Sequence, residues 1–223
     1  MLLLLIYEVN KFMEKIMSIK IRKALSQDAP FLAQMILQSS RAEKKIGIFD
    51  LIFGCKGDVV TLENLEKLTT TKAKNQCHYS NFLIAEIDGT KVGSLCSYEP
   101  RISTREIFLE SLKEIGCDDY EQDFLDILDS CDFNLNKRTL VFDFLEEVEG
   151  YIDVGILKAL MQKSLLSARL KGYRIAQTVV EIGSLETLLY YKKLGFKEVK
   201  QKECDLYKEK FGRAGLVLLT YEF

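Results

Sequence analysis

The chain has 223 residues, enough for one domain carrying an insertion. A hydrophobic content of 48% and a charged content of 29% exclude a disordered chain. A net charge of −2 without a basic run excludes a binder driven by neutralising nucleic-acid phosphates.

In chain order, MLLLLIYEVNKFMEKI (1–16) reads as an N-terminal extension of uncertain status. Its six-residue apolar run LLLLIY is far short of the ~20 residues that span a bilayer, and it lacks the basic leader and cleavage site of a signal peptide. The alternation in IKIRKA (19–24) predicts a strand. Residues 26–40 predict a helix capped by Ser26 or Asp28, with Pro30 in its first turn and Phe31, Leu32, Met35 and Ile36 on one stripe. Residues 41–80 predict two short helices and a loop, the second helix starting from a threonine cap at Thr61. Two β-rich runs around Asp88-Gly89 predict a hairpin, and Pro100 ends its second strand. Residues 103–138 predict a helical insertion, with ten acidic residues and two basic ones between Arg105 and Asp132. That run is read as a solvated face, and alternatively as a rim that concentrates a cationic amine. A strand follows at 140–148, a helix at 155–173 stopped by Gly172, and a strand at 174–183. A helix at 184–195 capped by Ser184 and two closing strands, the first running through Tyr207, complete the chain. The fold class is α/β: a mixed, mostly antiparallel twisted sheet flanked by helices, with a helical insertion before the fourth strand.

The six cysteines include no C-x-x-C pair, and His78 is the one histidine, so structural zinc is not expected. The cysteines are expected as reduced thiols of a cytoplasmic protein. A nucleophilic pair between His78 and a cysteine is the alternative use of these residues.

Three pieces together resemble the GNAT-type N-acetyltransferase family: IRKALSQDAPFLAQMI as its first strand and helix, NFLIAEIDGTKVGSL as its central hairpin, and YYKKLGF as its C-terminal signature. Each is weak alone; their order and spacing are specific to the fold. Segments 41–80 and 103–138 are covered poorly. The resemblance implies one GNAT-like domain over 17–223, acting in the cytoplasm with acetyl-CoA as co-substrate. It implies acetyl transfer to a primary amine of a small molecule or peptide, without nucleic acid or membrane. A homodimer is left open.

The family's site, carried onto this chain, places the coenzyme diphosphate at the amides that open the long helix, where unpaired N–H groups and the positive end of the dipole converge. Gly150, Tyr151, Asp153, Val154 and Gly155 are the expected cofactor-binding residues there. Backbone amides of Phe144, Leu145 and Glu146 on the fourth strand are expected to meet the thioester, and Ser184 the coenzyme at the last helix. Tyr191, five residues before Phe196, is expected as the acid for the departing thiolate. Asp143, Glu146 and Glu147 lie on the strand that would supply the base for the amine, with Asp143 and Glu147 as the candidates singled out.

The diphosphate loop departs from the family pattern Q/R-x-x-G-x-G/A. Gly150 stands for its leading Arg or Gln, and Asp153 for its middle glycine. Like charges about 4 Å apart repel by about 4 kcal/mol at a protein surface. The favoured reading is weakened coenzyme binding with Asp153 turned away and Lys192 or Lys193 offsetting its charge. The alternatives are a catalytically inactive binding module on the same scaffold, with Asp153 capping the helix in place of phosphate, and an unrelated α/β protein.

Overall fold

The alternation in IKIRK builds the first edge of a seven-stranded sheet. The computed structural model describes residues 19–117, 122–133, 135, 138–151 and 154–223; the expected extension at 1–16 and Asp153 lie outside them. β1 (Lys20–Lys23) pairs antiparallel with β2 (Phe82–Ile87), and β2 with β3 (Thr90–Tyr98). The turn between β2 and β3 has Asp88 at φ 50° and Gly89 at φ 80°, the paired positive angles of a type I′ hairpin. β3 pairs antiparallel with β4 (Leu140–Glu147), and β4 runs parallel to β5 (Ile175–Glu181). β5 pairs with β7 (Gly215–Glu222), and β7 with the edge strand β6 (Lys197–Glu203). The order β1-β2-β3-β4-β5-β7-β6 is mixed and mostly antiparallel, as the alternation of strand and helix patterns predicts.

Helices cover both faces. α1 (Ala29–Arg41), α2 (Ile48–Ile52), α3 (Asp58–Leu68) and the insertion helices α4 (Arg105–Glu114) and α5 (Gln122–Ser130) share one core, in which Leu32, Ile36, Leu68, Phe82, Phe124 and Phe144 are buried. α6 (Ile156–Leu170) and α7 (Leu185–Lys193) share the other, with Leu95, Phe142, Leu160, Val180, Tyr191 and Phe196. No helix among the described residues is long and apolar enough to cross a membrane.

Several local expectations give way to tertiary contacts. Asp28 precedes α1 but its side chain makes no capping bond. It accepts instead from Arg22 Nη1 at 2.7 Å, Lys91 Nζ at 3.0 Å and the Leu25 amide at 2.8 Å, and two cations beside it hold its carboxyl well below the usual range. α3 starts at Asp58 after Gly57, so Thr61 lies inside the helix and is buried. Ser184 precedes α7 without a side-chain capping bond. The strand expected to run through Tyr207 breaks at Glu203 into α8 (Asp205–Phe211), which Gly212 ends at φ 71°. A seven-residue helix bounded by one cysteine and one glycine leaves little periodicity to detect.

The expectation of reduced thiols fails for one pair: Cys131 and Cys204 form a disulfide with Cα atoms 5.4 Å apart. His78 does not activate the cysteine beside it. Its Nδ1 lies 2.8 Å from Ser80 Oγ, and burial pushes the neighbouring Cys77 thiol well up, the opposite of thiolate activation.

Candidate active site

The parallel pair β4–β5 holds register only at Leu140↔Ala176 and Val141↔Gln177. Past these residues the two strands part into a cleft, and the edges facing it are left without ladder partners.

A bulge in β4 decides which side chains face which way. The β3–β4 register shifts between Ser94 and Cys96, and Phe144 there takes φ 46°, a left-handed conformation rare for a bulky residue. Strict alternation after Phe142, which packs on the α6 side, would send Phe144 and Glu146 to that same side. The bulge reverses this. Phe144 packs in the α1 core and Leu145 on the α6 core. Glu146 Oε2 accepts from Gln38 Nε2 of α1 at 2.8 Å, while the charge of Glu147 acts on Tyr190 of α7.

The α1 side of the cleft is therefore acidic. Burial is the main cause that raises Glu146 to about 7, opposed by hydrogen bonds from Ser39 and Gln38 and reinforced by Glu147 and Glu43. Burial also raises Asp143 to about 6, against a hydrogen bond from the Phe144 amide at 2.9 Å. Of the expected bases, Asp143 is on this side and Glu147 is on the other. Sequence reasoning named Glu146 beside Asp143 and Glu147 as a carboxylate on this strand, and as a backbone contact, but could not sort the three by face, because a one-residue bulge has no sequence signal here.

The opposite side carries the two tyrosines. Tyr191 is 5% exposed and stacks edge-on against Phe196, ring centroids 5.1 Å apart. Burial pushes its phenol well up, against a hydrogen bond from Thr178 of β5, and the charge of Asp143 of β4 adds to the rise. Tyr190 is raised to about 12 by burial and by Glu147. Its buried hydroxyl has no hydrogen-bond partner among the described residues, a feature without a sequence signal.

The N-terminus of α6 closes the cleft on the same side. Gly93 of β3 makes this approach possible: a Cβ there would stand 2.7 Å from Ile156 Cγ2 and 2.8 Å from the Glu146 carbonyl oxygen. Gly155 precedes α6 at φ 91° and has no side chain to cap it, and Gly150 takes φ 95°. Added Cβ atoms at Gly150 and Gly155 would meet nothing within 4 Å. Tyr151 and Val154 pack their side chains on the α6 core. Ser184 stands at the start of α7, its amide bonded to the Glu181 carbonyl at 3.2 Å. A helix start flanked by Gly150 and Gly155 and a buried hydroxyl without a partner among the described residues fit a long polar coenzyme lying along this side. Lys192, named with Lys193 as a counter-charge to Asp153, is 3.4 Å from Glu198; Asp153 lies outside the described residues.

By sequence, no family model and no curated protein matches this chain. By structure, it is similar to a crystal structure of an acetyltransferase at 18% identity and TM-score 0.66, over 91% of this chain and 98% of that one. An N-acetyltransferase from Staphylococcus aureus Mu50 aligns at 17% identity and TM-score 0.59, over 91% and 100%. An acetyltransferase of the GNAT family from Streptococcus pneumoniae aligns at 17% identity and TM-score 0.52, over 92% and 99%. With its parted fourth and fifth strands, bulged fourth strand and glycine-led helix, the chain has the GNAT acetyltransferase fold.

Proposed function

We propose that this protein transfers an acetyl group from acetyl-CoA to a primary amine of a small molecule or peptide. The observation that carries this reading is the cleft after Val141 and Gln177, with Glu146 at about 7 on one side and the buried phenol of Tyr191 on the other. The two sides divide the work. The α6 and α7 side holds the helix amides, Gly150, Gly155, Ser184 and the Tyr190 hydroxyl, and suits the coenzyme. The α1 side holds Asp143 and Glu146 and suits the amine.

Acetyl-CoA supplies an activated acyl group to such a site. An ammonium is not nucleophilic, so the acceptor must lose a proton. Glu146 accepts it best near neutrality, directly or through water, because its pKa lies close to the operating pH. The Phe144 amide is committed to Asp143 Oδ1, so the Leu145 amide is the one the β4 bulge offers to the oxygen that gains negative charge. The Tyr191 phenol stays protonated at any working pH, as a donor to a leaving thiolate must.

Calorimetry with acetyl-CoA tests the reading, followed by product mass spectrometry with a panel of primary amines. Saturable heat and a 1:1 acetylated product are expected. No heat at sub-millimolar protein would favour the inactive binding module. Tyr191→Phe is expected to lower kcat about tenfold or more with little change in coenzyme Kd.

A further inference from the structure

The link from α1 to α2, residues 42–47, is held under strain. Ala42 at φ 43° and Glu43 at φ 67° are consecutive left-handed residues without being glycine. Gly47 then returns so close to α1 that a Cβ would lie 2.4 Å from the Ser40 carbonyl oxygen. The turn between them is tied to the end of β5 and lies in the field of a carboxylate at the end of β4. The charge of Glu43 acts on Glu146 at the end of β4. Lys44 reaches Glu181 at the end of β5, where the ammonium pairs with Oε1 and lies 5.6 Å from the centroid of the Phe211 ring. The same carboxylate accepts from the Tyr207 hydroxyl at 2.8 Å and faces Arg213 Nε at 3.4 Å. Both partners are largely withdrawn from solvent, their side chains 14% and 10% exposed. A strained turn is thus tied down by one caged ammonium.

We propose that the Glu43–Lys44 turn is a latch across the amine side of the cleft, released when Lys44 leaves Glu181. The assignment of that side to the amine rests on the acetyl-transfer reading above; the latch itself rests on the strain and the cage. The cage of carboxylate, phenol and aromatic ring recognises a primary alkylammonium, so an acceptor of that class competes with Lys44 and opens the latch as it enters.

Hydrogen exchange of the full chain without coenzyme tests this at the Lys44 and Gly47 amides, which bond to the Arg41 carbonyl at 2.8 Å and Asp50 Oδ2 at 2.8 Å. Lys44→Met keeps the stem and removes the charge. It is expected to speed exchange over 42–47 about tenfold or more and leave the sheet unchanged. In wild type, n-butylammonium is expected to speed the same amides and tetramethylammonium at equal ionic strength is not. Unchanged exchange in Lys44→Met overturns the latch, and so does uniform acceleration, which would make Lys44 a support for the whole fold. If Lys44→Met does not fold, Tyr207→Phe removes one bond to Glu181 and is expected to accelerate the same segment more weakly. Coenzyme binding is measured separately. Its absence beside a local acceleration would overturn acetyl transfer and leave the latch standing.

Discussion

One backbone angle carries much of the site. With Phe144 at φ 46°, Glu146 faces α1 and Glu147 faces Tyr190. Glu146→Gln therefore separates its two effects. As the base it is needed deprotonated, so kcat/KM is expected to rise with pH through about 7 in wild type. The variant is expected to lose roughly 10²–10⁴ in rate and that pH dependence with it. Stability moves the other way. The folded pKa lies above the unfolded value of about 4.3, so the native state binds the extra proton between the two. The stabilisation is complete below about 4.3 and lost as pH rises through about 7. At pH 8 the wild type keeps a partly buried charge that glutamine does not. After discounting for partial exposure, Glu146→Gln is expected to gain about 1 kcal/mol, or roughly 2–4 °C in Tm. Equal rates at pH 8, or a lower Tm in the variant, would remove Glu146 from this role.

At the scale of elements, the start of α6 depends on a residue in another strand. Gly93→Ala puts a methyl group against Ile156 Cγ2 and the Glu146 carbonyl, and the carbonyl has nowhere to go within the ladder. The variant is expected to lose about 1–3 kcal/mol in chemical denaturation and to weaken acetyl-CoA binding by moving the helix amides. Unchanged affinity would mean that the helix start plays no part in holding the coenzyme. Elements whose physics is local were readable in the sequence. Asp88-Gly89 demands positive φ twice, and a β-rich run such as RIAQTVVE has few other uses. Side-chain caps were less readable. Asp28 had two cations to prefer over helix amides, and those come from β1 and β3. The α8 helix was missed because its only stop signal is Gly212, and the bulge at Phe144 because phenylalanine suits an ordinary strand as well. Tyr191 was legible through YYKKLGF, whereas the free hydroxyl of Tyr190 depends on how α7 lies over β4.

At the scale of the molecule, the disulfide joins the least regular parts of the chain. Cys131 follows α5 in the insertion and Cys204 precedes α8, 73 residues later. Around them Leu51, Ile127 and Phe211 form a small separate core. α8 also supplies Tyr207 and Phe211 to the Lys44 cage, so the bridge fixes the insertion and the α1–α2 turn to one another. Closing a loop of this length removes unfolded-state entropy worth about 2–4 kcal/mol. Reduction, or Cys131→Ser with Cys204→Ser, is expected to lower Tm by roughly 5–15 °C, given about 2–4 °C per kcal/mol at this size. The loss should be uneven. The main cores of Leu32 and Leu160 do not contain the bridge, so hydrogen exchange should accelerate first in α5 and α8 and last in β2, β3 and β4. A wild type whose melting is the same with and without reductant, and whose Cys131 and Cys204 both alkylate without reduction, would show that the two thiols stand side by side unbonded and that packing alone holds the insertion in place.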